Sequence, residues 1–220
     1  MVEDSYLHKG LRKKLIKQLR EKGITNDRVL DAIELIPRHV FLDNAFLEHA
    51  YQDKAFPIGE GQTISQPYTV AVQSDLLELK PGMKVLEIGT GCGYQCSVLI
   101  ALGAKVYTIE YHESLHKKAK KILAEMGMYP TMKYGDGSEG WLEHATYDRI
   151  IATAGAPYVP QSLIDQLNVG GILIIPVGDK NTQKMLRIRK TSATSVSQET
   201  FGDFRFVPLV GKDGWTPKLK

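Results

Sequence analysis

The 220-residue sequence predicts an α/β fold in which a mostly parallel, twisted sheet is covered by helices on both faces. Three observations support this prediction. The N-terminal third shows helical periodicity, the segment after Gly82 alternates short β-rich runs with helical ones, and an apolar strand runs directly into closely spaced glycines. The composition, 43% hydrophobic and 24% charged, is that of a globular protein and excludes a disordered or fibrous chain.

Helices are predicted for most of residues 8–79. Two apolar stripes recur at helical spacing, first Leu11, Leu15 and Leu19, then Val29, Ile33 and Ile36. Gly23 separates the stripes, and Pro37 ends the second one. Residues 55–66 contain glycines and a proline with little periodicity, and we expect an ordered loop there. Pro67 suits the first turn of a further helix that runs to about residue 79.

Strands are predicted at intervals after residue 82. Five core strands are expected at residues 84–88, 105–110, 131–134, 148–152 and 171–177. The apolar stripe of residues 115–126 predicts a helix that Gly127 ends. Strands that alternate with helices imply a parallel sheet buried on both faces. In the tail, residues 184–189 and 205–210 predict two more strands joined by a Ser/Thr-rich loop.

The charge distribution identifies no partner. Lys and Arg number 28 against 25 Asp and Glu, and the basic cluster between Arg12 and Arg20 favours a solvated helix face over a nucleic-acid patch. Residues 1–4 carry acid with no apolar run behind them, and no stretch approaches the roughly 18 apolar residues that cross a bilayer. We therefore expect a cytoplasmic protein, in which Cys92 and Cys96 remain thiols because that compartment is reducing. Two cysteines at this spacing do not make a metal site.

The strongest local signal is residues 85–93, an apolar strand that enters three alternating glycines. Such a turn lets backbone approach a ligand closely, and the first strand-to-helix crevice of an open α/β sheet binds nucleotide-like ligands. A dinucleotide fold would place its third glycine at Tyr94, which excludes that pattern. Glu110 ends the second strand, where its carboxylate could accept both ribose hydroxyls. A tight turn without a ligand is the alternative for the glycines, and an ordinary turn is the alternative for Asp136-Gly137, which could otherwise bound an adenine.

Several sequence blocks resemble known enzymes. The G-x-G-x-G form with Glu87 two residues upstream resembles motif I of S-adenosylmethionine methyltransferases. Residues 37–39, 50–53, 57–68, 85–94, 135–137, 147–151, 170–178 and 205–209 are similar to the protein-L-isoaspartate O-methyltransferase family, in its order. The resemblance covers about residues 29–211, and residues 59–68 are its most diagnostic part. Cys92 departs from the usual serine, and residues 191–200 lack the expected Asp-Gly turn.

The resemblance implies a Rossmann-like S-adenosylmethionine methyltransferase fold with an N-terminal helical segment. It also implies methyl transfer from S-adenosylmethionine to the free α-carboxylate of L-isoaspartyl residues, which leaves S-adenosylhomocysteine. Damaged proteins and peptides would be the partners, with no nucleic acid and no membrane, and family likeness indicates a monomer. We expect one domain over 1–220, with N-terminal helices and the acceptor-binding loop in 1–80, a cofactor-binding core in 81–180 and C-terminal strands in 181–220.

The resemblance also assigns site residues. The catalytic residue would be Ser65. The cofactor-binding residues would be Gln62, Thr63, Ile64, Ser65, Glu87, Gly89, Thr90, Gly91, Glu110, Tyr111, Asp136 and Gly137. The acceptor would contact Ile58, Gly59, Thr63, Ser65 and Val207. No metal is expected. An ionised carboxylate needs no general base, so the task is alignment, and Ser65 would hold the carboxylate unless it only caps the helix that begins near Pro67.

Three alternatives stay open at this stage. Residues 112–116 fit the zinc pattern H-E-x-x-H, with His144 as a possible third ligand. A methyltransferase for a small molecule or RNA remains possible, although residues 153–158 lack the Pro-Pro element of amino-methyltransferases and the ligands of metal-dependent enzymes. A non-catalytic binding protein is the third. Cys92, at a helix start, is expected to be the reactive thiol with a lowered pKa, and Cys96 to be buried; an inert, inward-facing Cys92 is the alternative.

Overall fold

The computed structural model describes residues 4–216, and residues 1–3, on which the prediction of no leader segment partly rests, lie outside them. The helices are α1 Tyr6–Glu21, α2 Asp27–Leu35, α3 Pro67–Leu76, α4 Tyr94–Ala101, α5 Glu113–Glu125 and α6 Gln161–Asp165, with 3₁₀ turns at Arg38–Phe41, Asn44–His49 and Leu142–His144. The strands are β1 Phe56–Gly59, β2 Gln62–Ile64, β3 Lys84–Ile88, β4 Lys105–Glu110, β5 Thr131–Tyr134, β6 Tyr147–Ala152, β7 Leu167–Gly178, β8 Gln183–Lys190 and β9 Val196–Phe204. None of the described helices is both long and apolar enough to cross a membrane.

The main sheet confirms the predicted fold class. It has seven strands in the order β5-β4-β3-β6-β7-β8-β9, and β1 pairs with β2 in a separate hairpin. Strands β3 to β7 pair in parallel, and β8 and β9 extend the sheet in antiparallel fashion. Because β4 and β6 flank β3 on opposite sides, the chain changes direction across the sheet at β3. The carboxyl end of β3 is therefore the position at which open α/β sheets bind ligands.

Two buried apolar clusters lie on the two faces of the sheet. Neighbouring residues of one strand enter different clusters because side chains alternate along it: Ile172 and Ile174 belong to one, Leu173 and Ile175 to the other. Helices α1 to α5 contribute to the first cluster and α6 to the second. Helices therefore cover both faces, as predicted.

Two segments differ from the sequence-based expectation. Residues 55–66, predicted as a loop, form the β1–β2 hairpin because Phe56 pairs with Ile64 and both side chains are buried. The strand that follows β8 and pairs with it is β9, at Val196–Phe204, and the prediction of a strand at 205–210 is wrong. Thr191 N donates to Ser195 O at 2.9 Å in a short turn, and directly after this turn β9 pairs with β8. Strand β9 is exposed along most of its length, so it lacks the apolar alternation that sequence patterns detect.

Candidate active site

A cavity lies at the carboxyl ends of β3 and β4. The glycine loop after β3, strand β2, the residues between β4 and α5, and the segment after β9 form its walls. The residues that line it are Gln62, Thr63, Ile64, Ser65, Val70, Ile88, Gly89, Thr90, Gly91, Cys92, Tyr94, Gln95, Ile109, Glu110, Tyr111, His112, Gly137, Thr153, Ala154, Val207, Pro208, Leu209 and Val210. Most of the predicted cofactor residues are thus brought together, and Glu87 and Asp136 are not part of the lining.

The glycine loop requires glycine for steric reasons. Gly89 and Gly91 have φ of 94° and 56°, values that side chains other than glycine rarely tolerate. A Cβ atom on Gly89 would lie 2.6 Å from Thr153 Oγ1, which itself donates to Ile88 O at 3.1 Å. Gly89 N donates to Ile109 O at 2.9 Å. The loop backbone is therefore exposed to the cavity and held on two sides by neighbouring strands.

Tyr94 begins the helix that follows the loop. Its ring is buried and meets the ring of Phe41 edge-on at 5.6 Å between centroids, and the Arg38 guanidinium lies over it at 4.7 Å. Arg38 is fully buried and donates to Ala50 O at 3.0 Å and Lys54 O at 3.1 Å. Burial lowers the pKa of Arg38 and raises the pKa of Tyr94 to about 12. The position of a third dinucleotide glycine is thus filled by a packed ring.

Glu110 joins the loop to the cavity wall. It is 4% exposed, its Oε2 accepts from Gly91 N at 2.7 Å, and its Oε1 accepts from His112 N at 2.9 Å. Each carboxylate oxygen has a second lone pair. Glu110 can therefore hold the backbone of the loop and still accept hydroxyl groups of a ligand in the cavity.

Glu87 and Asp136 support the site from outside its lining. The Thr108 hydroxyl donates to Glu87 Oε2 at 2.6 Å, and Thr90 Oγ1 lies 2.6 Å from Thr108 Oγ1, so Glu87 anchors the glycine loop from below. Asp136 Oδ1 accepts from Ser138 N at 2.8 Å, and its Oδ2 accepts from Lys212 N at 2.7 Å. The structure thus gives both carboxyl groups contacts with protein atoms.

Burial raises the pKa of Glu87 to about 8. The folded protein keeps this proton up to that pH, whereas an unfolded chain releases it near pH 4.5. Between these values the unfolded state binds fewer protons, so the stability of the folded state falls as pH rises. As pH rises through this range, we expect the free energy of unfolding of Glu87→Gln to increase relative to that of wild type, by at most about 1.4 kcal/mol per pH unit. Urea unfolding of both proteins at pH 5, 6.5 and 8 measures the difference, and parallel pH profiles would contradict it.

Three of the five predicted acceptor residues lie where the cavity meets a second, larger groove. The groove is lined by Ala55, Thr63, Ser65, Gln66, Tyr68, Thr69, Thr153, Asn181, Thr182, Gly202, Asp203, Phe204, Arg205, Phe206 and Val207. Thr63, Ser65 and Val207 face both spaces. Ile58 is buried beside the loop, with its Cδ1 3.4 Å from the position of a Cβ on Gly91, and Gly59 lies at the tip of the hairpin. These last two residues line neither space.

Ser65 does not cap helix α3, so the helix-cap interpretation is wrong. The N-cap residue is Gln66, which makes no side-chain cap hydrogen bond. Asp53 serves this end of the helix instead: its Oδ1 accepts from Tyr68 N at 2.8 Å and its Oδ2 accepts from Gln66 Nε2 at 3.0 Å. The Ser65 hydroxyl makes no hydrogen bond with the described residues and is available to a ligand.

The two cysteines are both buried, and the prediction of a lowered pKa at Cys92 is wrong. Cys92 is 3% exposed although it lines the cavity. Burial raises its pKa to about 11, which outweighs the effect of the helix start. Burial also raises the pKa of Cys96, which is fully enclosed, as predicted. Both thiols therefore stay protonated at neutral pH.

Alkylation tests this conclusion. At pH 7.5 we expect iodoacetamide to modify neither Cys92 nor Cys96 in the folded protein, because the thiolate is the nucleophile and both thiols are protonated and shielded. In guanidinium chloride both should react. Mass spectrometry of the intact protein counts the adducts. Rapid labelling of Cys92 in the folded protein would contradict the buried placement.

The histidines of the zinc pattern are not assembled into a metal site with His144. His112 contacts the β1–β2 hairpin, whereas His144 packs against Trp141 with ring centroids 4.7 Å apart. Within residues 4–216, one group of three potential ligands is close enough to hold an ion: Asp4, His8 and His39. The Arg12 guanidinium donates to both carboxylate oxygens of Asp4 at 2.8 Å, so the charge of this carboxylate is already paired with a cation.

Sequence reasoning missed part of the lining. Thr153 follows directly after β6, and the rule that ligands bind at the carboxyl ends of parallel strands could have identified it. Leu209 and Val210 had no such signal. They reach the cavity because Gly155 N donates to Val207 O and Leu209 N donates to Gly155 O, both at 2.8 Å. Asp53 also emerged only from the structure.

Comparison with known proteins agrees with this arrangement. The family described as protein-L-isoaspartate(D-aspartate) O-methyltransferase matches residues 10–214. A protein-L-isoaspartate O-methyltransferase of Cytophaga hutchinsonii is 69% identical, over 99% of this chain and 98% of that protein, and one of Christiangramia forsetii is 56% identical, over 95% and 98%.

Solved structures point the same way. A protein-L-isoaspartate O-methyltransferase superposes with a TM-score of 0.83 and 30% identity, over 92% of this chain and 67% of that one. A Plasmodium falciparum structure in complex with S-adenosyl-L-homocysteine shares the fold, with a TM-score of 0.78 and 24% identity over 90% of this chain and 98% of that one. The chain belongs to the protein-L-isoaspartate O-methyltransferase family.

Proposed function

We propose that this protein transfers a methyl group from S-adenosylmethionine to the free α-carboxylate of L-isoaspartyl residues in damaged proteins and peptides. One observation carries the proposal: Thr63 and Ser65 lie at the junction between the glycine-loop cavity and the second groove. The cavity fits an adenosyl ligand, because Gly89 and Gly91 expose backbone and Glu110 retains acceptor capacity for ribose hydroxyls. The relatives' names support the same reaction.

The chemistry asks little of the protein beyond alignment. When bound, S-adenosylmethionine supplies an electrophilic methyl group on a sulfonium ion. An acceptor carboxylate is ionised near neutral pH, so no residue has to remove a proton from it. Ser65 and Thr63 would donate hydroxyl hydrogen bonds that orient this carboxylate toward the cavity. Fixing the reacting groups in line can remove up to roughly 7 to 11 kcal/mol from the barrier.

The second groove suits a peptide. Its lining combines aromatic rings, which can cover apolar side chains, with polar groups that can bind a peptide backbone; the rings belong to Tyr68, Phe204 and Phe206. Val207 lies at its inner end beside the two hydroxyl residues. A peptide in the groove would therefore present a branched carboxylate to Ser65.

A methyl-transfer assay tests the proposal. Protein and isotopically labelled S-adenosylmethionine are incubated with an isoaspartyl peptide, with the same peptide carrying normal aspartate, and with RNA. We expect base-labile methyl ester on the isoaspartyl peptide alone. Ester formation on both peptides, or methylation of RNA in place of the peptide, would contradict the proposed acceptor. Cofactor binding without any transfer would indicate a binding protein.

We further propose that residues 1–220 act as one cytoplasmic, monomeric domain, with residues 1–80 supplying the acceptor loop, 81–180 the cofactor core and 181–220 the last strands. The first apolar cluster supports the single domain, because it joins residues of α1 to residues of β7 and β8. Light scattering coupled to size exclusion measures the mass in solution, and a dimer mass would contradict the monomer.

A further inference from the structure

The tip of the β1–β2 hairpin has an unusual backbone. Gly59, Glu60 and Gly61 have φ of 101°, 52° and 69° in succession. Within residues 4–216, Glu60 and Glu78 are the two residues other than glycine with positive φ. A side chain in this region costs about 1 kcal/mol or more, so the surrounding structure must hold it there.

The Glu60 side chain supplies contacts that hold the tip. Its Oε1 accepts from Ser114 Oγ at 2.7 Å, and its Oε2 lies 3.8 Å from His112 Nδ1. Gln62 Nε2 lies 3.4 Å from His112 Nε2 on the same side of the hairpin. These contacts join the hairpin to the first turn of α5.

This junction borders the glycine-loop cavity. Gln62 and the residues after it line one wall, and Tyr111 and His112 line the wall that leads into α5. Glu110, directly before them, is held to the loop by Gly91 N. If the hairpin separated from α5, these two walls would move apart at the edge of the cavity.

We propose that Glu60 is a positioning residue that fastens the β1–β2 hairpin to the start of α5 and so slows release of the adenosyl ligand. The identity of that ligand rests on the proposed function. Glu60 itself does not line the cavity, so it acts through Gln62 and His112. We expect loss of Glu60 to raise the dissociation rate of the ligand, because the hairpin must separate from α5 before a bound ligand leaves.

The chain offers a matched control. Glu78 also has positive φ, at 50°, and its carboxylate is bound by Arg187 and Arg189 at 2.9 and 3.0 Å, outside the cavity lining. Glu60→Gly and Glu78→Gly therefore make the same backbone change, and each removes one anchored carboxylate. A third variant, Glu60→Gln, keeps an acceptor oxygen for Ser114.

The test loads each full-length protein with labelled S-adenosylhomocysteine and follows its release into excess unlabelled ligand. We expect Glu60→Gly to release the ligand about threefold to tenfold faster, as loss of one hydrogen bond implies. Glu78→Gly should match wild type even if its melting temperature falls, and Glu60→Gln should restore most of the slow release. The KM for S-adenosylmethionine should also rise in Glu60→Gly and stay at the wild-type value in Glu78→Gly.

Unchanged release in a folded Glu60→Gly variant would overturn the inference alone. Equal acceleration in Glu60→Gly and Glu78→Gly would also overturn it, since the effect would then come from general loosening. Wild-type protein that retains no labelled ligand would overturn the proposed function as well.

Discussion

Replacing Ser65 with alanine is expected to lower turnover on isoaspartyl peptides about a hundredfold, because misplacement of a reacting group by about 1 Å costs that much. The hydroxyl lies at the junction of the cavity and the groove and makes no hydrogen bond with the described residues. Its loss should therefore leave the fold and the affinity for S-adenosylmethionine nearly unchanged. Steady-state kinetics with a saturating isoaspartyl peptide measures the effect.

The control for Ser65→Ala is Asp53→Ala, which removes the residue that accepts from Tyr68 N at the start of α3. Loss of a helix cap costs about 1 kcal/mol, so this variant should melt earlier. Ser65→Ala should have the same melting temperature as wild type. If Ser65→Ala lost stability but kept full turnover, its role would be structural, and the placement of the acceptor carboxylate would have to change.

Glu110→Ala is expected to weaken S-adenosylmethionine binding at least tenfold, since each hydrogen bond to a charged group contributes about 1.5 to 3 kcal/mol. Two losses combine in this variant. The carboxylate can accept ribose hydroxyls, and it already holds Gly91 N at 2.7 Å and His112 N at 2.9 Å. Titration calorimetry with S-adenosylhomocysteine measures the affinity.

Two variants control for Glu110→Ala. Glu113→Ala removes a neighbouring carboxylate that pairs with Lys117 on the surface of α5, and it should bind like wild type. Glu110→Gln keeps one acceptor oxygen and should fall between wild type and alanine. The KM for peptide should stay constant in all three. Unchanged calorimetry in a folded Glu110→Ala protein would remove Glu110 from the proposed ligand site.

Much of the parallel core was readable in the sequence. The predicted bounds of β3, β4 and β5 are those of the structure. Each strand is a short β-rich run of residues, and the residues on either side of it favour turns. The glycine loop and the position of Glu110 at a strand end follow from the same local pattern. Tyr94 excluded a dinucleotide fold by its identity alone. These features depend on residues close together in the chain.

The tertiary structure decided the features that depend on distant residues. Strand β9 is held by pairing with β8 and carries no apolar alternation, so no local pattern marked it. Helix α3 is capped by Asp53 from an earlier segment, which left Ser65 free to face the groove. Cys92 lies just before the start of α4, a position that favours a thiolate, yet the fold buries it and raises its pKa to about 11. Local sequence sets backbone preferences, whereas burial and long-range hydrogen bonding are set by which segments pack together, and these last two decide the chemistry of a side chain.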